Sequence, residues 1–319
     1  MLLESKQLKY EWQDDWAGLN GIEGDSHHGM AIDSQGRIYC SFSIEPHVRV
    51  FNPEGDLLDA FNVSGTTMHC LFISKDAEGE WLWNIDLANK VVTKSSLTGE
   101  IIRSIGPAAF NLGEDEKFEI TAGTVDPETG NVWIADGYGY AREGSWGGNK
   151  IYVFNPALEL QFSFNGSEAP CGEFKEPHWI FADTRKGHTE IYITDRRHDR
   201  LVVYDGAGNF LREVGGDLHT PSAFGTFDDK LVVAELEGRV HILNADDEII
   251  ETLADGSEYA KAEGWPARIK DGSYVPPQSF LEQGKFNSPH GLAVDASGNI
   301  YVHEWIKGVR LTKLRHLPA

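Results

Sequence analysis

Apolar residues occur along this chain in short runs separated by turn residues, and one such arrangement recurs six times. The two most similar copies, residues 28–39 and 290–301, share the pattern H-G-h-A-h-D-x-x-G-x-I-Y, in which h is apolar and x is any residue. Each copy is typical of an apolar strand, a D-x-x-G turn whose glycine adopts a positive φ, and a second strand of β-branched and aromatic residues. The pattern therefore predicts a β-hairpin.

Weaker copies of this hairpin begin at four further places, and most copies are followed by a third and a fourth strand pattern, such as residues 49–51 and 57–61. Four strands per unit, at about 40 to 50 residues per unit, are typical of a β-propeller. We therefore predict an all-β fold, a six-bladed β-propeller with four-stranded antiparallel blades. Residues 1–319 would form a single domain whose blades start near residues 28, 69, 121, 178, 223 and 290.

The two ends of the chain complement each other. The last unit ends soon after a third strand near Val309, whereas residues 6–12 have a strand pattern without a partner in the first unit. We expect residues 6–12 to supply the missing fourth strand, because this closes the ring and covers an exposed sheet edge. Residues 256–287 fit no blade strand and are predicted to form a long excursion of the kind that shapes a site.

Charge and composition exclude several classes of partner. The net charge of -22 argues against nucleic acid and anionic membrane surfaces, which both require a basic footprint, although a buried cationic site is compatible with an acidic surface. The N-terminus has no basic region followed by an apolar run, and no 18-residue apolar stretch occurs, so we expect a soluble cytoplasmic protein. The three cysteines form no CxxC pair, which predicts reduced, mostly buried thiols.

Alignment of the copies places four histidines at one position, the start of the innermost strand of blades one, two, four and six: His28, His69, His178 and His290. The other two blades carry Thr121 and Ala223 there. Inner strands line the channel of a propeller, so these imidazoles would converge. Neutral imidazole suits divalent zinc, and the set predicts one bound divalent metal ion, with zinc favoured. A single such histidine could instead hydrogen-bond a rim loop.

The repeats resemble NHL repeats, and one set of residues resembles a more specific family, peptidyl-α-hydroxyglycine α-amidating lyase. That set is His69, Thr121, Asp136-Gly137-Tyr138, Pro177-His178, Asp195-Arg196 and Pro289-His290. The family is a six-bladed propeller whose zinc is held by histidines of the second, fourth and sixth blades. The resemblance implies that His69, His178 and His290 bind zinc. It further implies that Tyr138 acts as the catalytic base and that Arg196 holds the substrate.

The sequence departs from the family in the first and last blades. The substrate-contacting arginine of the family would fall near residues 42–43, where no arginine occurs, and His28 is additional. Gly291 replaces an aspartate that helps to hold a structural calcium in the family. The resemblance therefore extends neither to peptide recognition nor to calcium binding.

Further substrate-binding candidates lie at the same rim as the histidines. Arg197 follows Arg196 in one turn, Tyr140 and Trp146 lie in the glycine- and aromatic-rich segment 136–149, and His303 precedes Glu304. The segment can cover the channel mouth, stack against a sugar, or pack on itself. Five carboxylates end second strands: Asp86, Asp136, Asp195, Glu235 and Glu304. They can accept hydrogen bonds from loop amides or orient metal-bound histidines.

These features favour a metal-dependent, lyase-like enzyme that acts on a small polar hydroxylated substrate, such as a carbohydrate or a hydroxy-acid derivative. Epimerisation and hydrolysis use the same parts, and the resemblance favours a lyase. Two alternatives stay open. One is a non-catalytic NHL-type binding scaffold without metal. The other is a calcium lactonase of the propeller type, whose acidic axial cluster is not matched by the histidine, threonine and alanine found at the inner strands.

Overall fold

The computed structural model describes residues 1–4, 8–19, 25–63, 65, 67–140, 144–145, 147–266, 269–270, 273–274 and 281–317. For residues 4, 25–28, 139–140, 144–145, 269–270 and 273–274 only the backbone is described. Apart from three short 3-10 helices (Pro107–Phe110, Arg196–His198 and Ser257–Lys261), the regular elements of this part of the chain are β-strands. No helix in it is long and apolar enough to cross a bilayer.

In the described part of the chain, the strands form six antiparallel blade sheets and two small two-stranded hairpins. Two N-terminal strands are β1 (Leu2–Glu4) and β2 (Lys9–Gln13), and blade 1 contains β3 (Asp25–Ile32), β4 (Ile38–Phe42), β5 (Val48–Phe51) and β6 (Leu57–Phe61). Blade 2 contains β7 (Met68–Lys75), β8 (Glu80–Asp86), β9 (Val91–Ser95) and β10 (Ile101–Ile105). Blade 3 contains β11 (Ile120–Val125), β12 (Val132–Asp136), β15 (Lys150–Phe154) and β16 (Leu160–Phe164), with a small hairpin, β13 (Gly139–Tyr140) and β14 (Gly144–Ser145), inserted between its second and third strands.

The remaining blades follow the same order. Blade 4 contains β17 (Pro177–Asp183), β18 (Glu190–Asp195), β19 (Arg200–Asp205) and β20 (Phe210–Val214), and blade 5 contains β21 (Pro221–Phe227), β22 (Lys230–Glu235), β23 (Arg239–Leu243) and β24 (Ile249–Leu253). A second hairpin, β25 (Ile269–Lys270) and β26 (Ser273–Tyr274), lies in the predicted excursion. Blade 6 contains β27 (Pro289–Val294), β28 (Ile300–Glu304) and β30 (Leu311–Leu317), and β29 (Ile306–Lys307) pairs instead with β3. The predicted fold class, an all-β six-bladed propeller with four-stranded antiparallel blades, is confirmed.

The D-x-x-G turn of the repeat forms as the sequence predicts. In blade 1 the Asp33 carboxylate accepts hydrogen bonds from the amides of Gln35 and Arg37, both at 2.9 Å, and Gly36 has a φ of 77°. Asp295 and Gly298 reproduce this turn in blade 6. The aspartate satisfies turn amides and the glycine adopts the left-handed conformation, which explains why both recur.

The sixth sheet is completed by the N-terminus. Strand β2 pairs antiparallel with β30, from Lys9 opposite Leu317 to Gln13 opposite Lys313, and β1 extends the sheet by one strand. Tyr10 and Trp12 are almost fully buried there. The prediction that an N-terminal strand completes the last blade is confirmed, although residues 5–7 lie outside the described residues. The third strand of this blade begins at Leu311, slightly later than expected.

The chain divides into two compact units. Unit 1 contains residues 1–62 and 222–319, and therefore blades 1, 5 and 6; unit 2 contains residues 63–221, and therefore blades 2, 3 and 4. In unit 1, side chains of blades 1 and 6 share an apolar cluster that includes Phe42, Phe51 and Tyr301. In unit 2, the inner strand β11 packs between β7 and β17. The single domain over residues 1–319 stays a prediction.

Candidate active site

Two of the predicted histidines meet in unit 2. His69 on β7 and His178 on β17 come from blades 2 and 4, are 0% and 1% exposed, and have ring centroids 4.9 Å apart at an interplanar angle of 72°. Both lie where the pairing of the inner strand with its neighbour shifts register, between Met68 and Cys70 and between Pro177 and Ile180. A β-bulge re-aims the side chain at that position. The same shift occurs at the equivalent residues of blades 3 and 6, so it is a property of the repeat.

Blade 3 fixes the orientation of His69. The Nδ1 atom of His69 lies 2.7 Å from the carbonyl oxygen of Thr121, the residue at the histidine position of that blade. Because a carbonyl oxygen only accepts hydrogen bonds, Nδ1 carries a proton, and in the neutral ring Nε2 then holds the lone pair. The Thr121 hydroxyl lies 3.3 Å from the carbonyl oxygen of Ala135 and 3.4 Å from that of Pro177, and these two acceptors share its one proton.

His178 is held in its neutral form. Burial lowers its pKa well below the usual range, and the positive charge of Arg196 and the neighbouring His69 lower it further, while a hydrogen bond with the backbone of Gly137 acts in the opposite direction. A neutral imidazole is the form that binds a metal.

Tyr138 contacts both histidines. Its ring centroid lies 5.6 Å from that of His69, edge to face, and 6.4 Å from that of His178. The side chain is partly exposed, and the Tyr138 carbonyl accepts a hydrogen bond from the amide of Gly147 at 3.1 Å, which closes the neck of the loop between β12 and β15. Two other candidates in this loop, the Tyr140 side chain and Trp146, lie outside the described residues.

Arg196 lies beside this group in the turn after β18. It is 4% exposed, burial lowers its pKa to about 10, and it interacts electrostatically with the phenol of Tyr138. Its Nη1 lies 3.4 Å from Oε1 of Glu176, and the Nε of Arg197 donates to the other oxygen of the same carboxylate at 2.6 Å. The structure therefore brings together His69, His178, Tyr138, Arg196 and Arg197, and adds one residue that sequence reasoning missed.

That residue, Glu176, is 0% exposed and directly precedes Pro177 and His178. It lies outside the repeated hairpin pattern, so alignment of the copies does not reveal it. One sequence signal could have indicated Glu176. It is an acidic residue two positions before the inner-strand histidine, and the same blade carries the adjacent arginines Arg196 and Arg197.

The arrangement of His69 and His178 fits two ligands of one metal ion. An imidazole nitrogen lies about 2 Å from zinc, which puts the ring centroid about 3 Å away, so two rings at a tetrahedral angle have centroids about 5 Å apart. The observed separation of 4.9 Å matches this value. Among the described side chains, however, no group of three histidine, cysteine, aspartate or glutamate residues is arranged to hold a metal ion. The metal site stays a prediction.

The other candidates belong to unit 1. His290 on β27 is 2% exposed and its ring lies 6.1 Å from that of Trp305, while the side chain of His28 lies outside the described residues. His303 is fully buried against Phe42, with ring centroids 5.5 Å apart. The guanidinium carbon of Arg49, from the next strand of blade 1, lies 4.3 Å above the Phe42 ring, so an arginine does reach this position although the sequence has none at residues 42–43.

The carboxylates that end the second strands bind loop amides and cations. In unit 1, Glu304 accepts hydrogen bonds from the amides of Asn287 and Ser288 and pairs with Arg310 at 3.1 Å. In unit 2, Asp195 accepts from the amide of Lys175 at 2.7 Å. These contacts favour a structural role for Glu304 over the predicted contact with substrate.

Comparisons with known proteins agree with the resemblance drawn from the motifs. No family model matches the chain. Peptidyl-glycine α-amidating monooxygenase A from Xenopus laevis is 26% identical over 243 residues, 73% of this chain and 23% of that protein. NHL repeat-containing protein 3 from Mus musculus is 24% identical over 185 residues, 55% of this chain and 51% of that protein. The chain thus spans about a quarter and about half of the length of these relatives.

Among solved structures, a virginiamycin B lyase from Staphylococcus aureus aligns with a TM-score of 0.58 at 15% identity, over 96% of this chain and 99% of that one. At this identity the likeness shows the fold alone. The predicted recognition, a six-bladed propeller with NHL-type and amidating-enzyme relatives, is confirmed at low identity.

Proposed function

We propose that this protein is a metal-dependent, lyase-like enzyme acting on a small polar hydroxylated substrate that carries an anionic group. One observation carries the proposal: His69, His178 and Tyr138, from three different blades, have ring centroids within 6.4 Å of one another, next to the buried Arg196. Structural histidines have no need of this convergence, whereas a metal site with a neighbouring proton acceptor requires it.

The proposed roles follow from the contacts. His69 and His178 would hold the ion, and His290 is the third ligand by its register position on the inner strand. When bound, the ion would act as a Lewis acid toward a substrate oxygen. Tyr138 would accept or relay a proton, and Arg196, close to the phenol, would bind the substrate anion and stabilise negative charge on Tyr138. His28 shares the register position of His290 and completes the predicted set of four histidines.

The similarity to an amidating enzyme, together with the resemblance of the motif residues to an amidating lyase, supports a lyase more than another reaction. A hydrolase or an epimerase would use the same groups. The three free cysteines, two of them buried, support the cytoplasmic location that forms part of the proposal.

A non-catalytic NHL-type scaffold is the second candidate, favoured by the similarity to NHL repeat-containing protein 3. Metal analysis separates the two. Protein purified without chelators should contain about one divalent ion per chain, most of it zinc. Protein that lacks metal and takes up no first-row divalent ion on reconstitution would refute the enzyme and favour the scaffold.

A further inference from the structure

Glu176 occupies an unfavourable conformation in the interior of unit 2. Its φ is 67°, and it is fully buried. The left-handed region costs a residue with a side chain about 1 kcal/mol or more, and a following proline normally restricts the preceding residue to extended backbone. Such strain persists only where surrounding contacts determine the conformation, and it is concentrated at functional sites.

The contacts of Glu176 join the elements that carry the candidate catalytic residues. Its amide donates to Oδ1 of Asn149, at the end of the loop that carries Tyr138, at 3.0 Å. Its carbonyl accepts a hydrogen bond from the amide of Arg196 at 3.2 Å. The next residues along the chain are Pro177 and His178. Glu176 therefore links the Tyr138 loop, the His178 strand and the arginine turn.

The Glu176 carboxylate also lies between two guanidinium groups. Oε1 faces Arg196 and Oε2 accepts from Nε of Arg197, and the carboxylate itself has no exposed surface. The arginine turn is hydrogen-bonded to the segment that precedes His178, since the amides of Arg196 and Arg197 donate to the carbonyls of Glu176 and Lys175 at 3.2 and 3.1 Å. An anion held by these arginines would consequently lie close to the reacting groups.

A fixed carboxylate at this point has two effects on an anionic ligand. It orients the guanidinium groups, which reduces the loss of side-chain freedom on binding. It also repels the ligand, and the repulsion increases with each negative charge that the ligand carries. A ligand with one carboxylate binds to oriented donors with the smallest electrostatic repulsion from Glu176. A second carboxylate on the ligand roughly doubles that repulsion.

We propose that Glu176 is a specificity-determining residue, which positions Arg196 and Arg197 and restricts the site to a ligand with a single carboxylate, a monoanionic hydroxy acid. The inference rests on the proposed function, because it identifies the anionic group of that substrate. The inference concerns only side chains of unit 2. Its test measures ligand binding and therefore does not depend on turnover.

Calorimetric titration with two hydroxy acids that differ by one carboxylate tests the proposal. Glycolate is the monoanion and hydroxymalonate the dianion, and each is titrated into zinc-loaded and into chelator-treated protein. The wild type should bind glycolate about tenfold more tightly than hydroxymalonate. Glu176→Gln should strengthen hydroxymalonate binding about tenfold relative to glycolate. Glu213→Gln is the matched control, since it makes the same change in net charge at a half-exposed residue that pairs with Arg200.

Three results would overturn the proposal: no glycolate binding by the wild type, equal or tighter binding of hydroxymalonate by the wild type, or the same preference in Glu176→Gln and Glu213→Gln. Circular dichroism checks that Glu176→Gln folds, and the wild-type comparison by itself overturns the proposal if hydroxymalonate binds as tightly as glycolate. The arginines belong to the chain, so the preference should persist in chelator-treated protein. A protein that keeps the preference but takes up no metal would refute the proposed enzyme and leave this inference standing.

Discussion

Asp136 and Asp195 end the second strands of neighbouring blades, but only Asp195 has a cation on its second carboxylate oxygen. Oδ2 of Asp195 accepts from Nε of Arg200, the first residue of the third strand, at 2.8 Å. In blade 3 that place is taken by Lys150, which pairs with Glu116 instead. Oδ1 of Asp136 accepts from two amides, whereas Oδ2 is buried and has no hydrogen-bond partner among the described residues. Burial accordingly raises the pKa of Asp136 to about 6.

This difference predicts opposite effects of the same substitution. The Asp136 carboxyl has a higher pKa in the folded than in the unfolded state, so its contribution to stability is largest below pH ~4 and is lost as the pH rises through ~6. An asparagine side chain does not titrate. The free energy of unfolding of Asp136→Asn, relative to the wild type, should therefore increase between pH 5 and pH 7.5, by up to about 2 kcal/mol. Urea unfolding at the two pH values measures the effect.

Asp195→Asn provides the control. It removes the partner of Arg200 and His198, and loss of one member of a buried pair costs about 3 kcal/mol. A comparable loss in Asp136→Asn at pH 7.5 would show that the Asp136 carboxylate is compensated after all.

The sequence repeat made the strand positions of many candidate residues predictable. Positions such as His69, His178 and Asp195 recur at fixed places in a repeated hairpin, so register alone assigned them to the start of an inner strand or the end of a second strand. Contacts between residues outside the repeat were not predictable in this way. The pairing of Arg197 with Glu176 depends on how a turn and a strained residue before Pro177 meet in space, and the pairing of β29 with β3 joins segments from opposite ends of the chain.

Tyr138→Phe should preserve the fold and the metal content while lowering turnover by about two orders of magnitude or more, the usual contribution of a general acid or base. The reason is the position of the Tyr138 ring against both histidines, beside Arg196. Steady-state kinetics on the substrate measures the loss. Tyr204→Phe is the control, since Tyr204 lies in the third strand of blade 4 and its buried hydroxyl makes no hydrogen bond to any described residue. Equal turnover in the two variants would leave Tyr138 as a loop residue only.

Deletion of residues 1–12 should destabilise the protein strongly. It removes most of β2 and exposes the edge of β30. It also removes the buried side chains of Tyr10 and Trp12 and leaves a cavity in their place; the ring centroid of Trp12 lies 4.7 Å from that of Phe286. The midpoint of thermal unfolding measures the effect. Deletion of residues 1–4 removes only β1, whose Leu2 is half exposed, and should lower the midpoint far less. If the longer deletion unfolds at the wild-type temperature, the N-terminal strand does not secure the last blade.

The last prediction concerns the metal, on which the proposed enzyme depends. Alanine at His69, His178 or His290 should abolish tight zinc binding, measured as metal per chain after dialysis, because each substitution removes one of the three predicted ligands. His28→Ala should weaken binding less, since three ligands remain. Thr121→Ser and Ala223→Ser test the same register position in the other two blades. Thr121→Ser keeps the backbone carbonyl that orients His69, so neither control should lose metal. Affinity should fall only as the pH drops well below the usual imidazole range near ~6.5, because burial lowers the pKa of His178 and protons compete for its nitrogens only at lower pH. Retention of zinc by the triple alanine variant at His69, His178 and His290 would place the metal elsewhere and remove these histidines from the proposed mechanism.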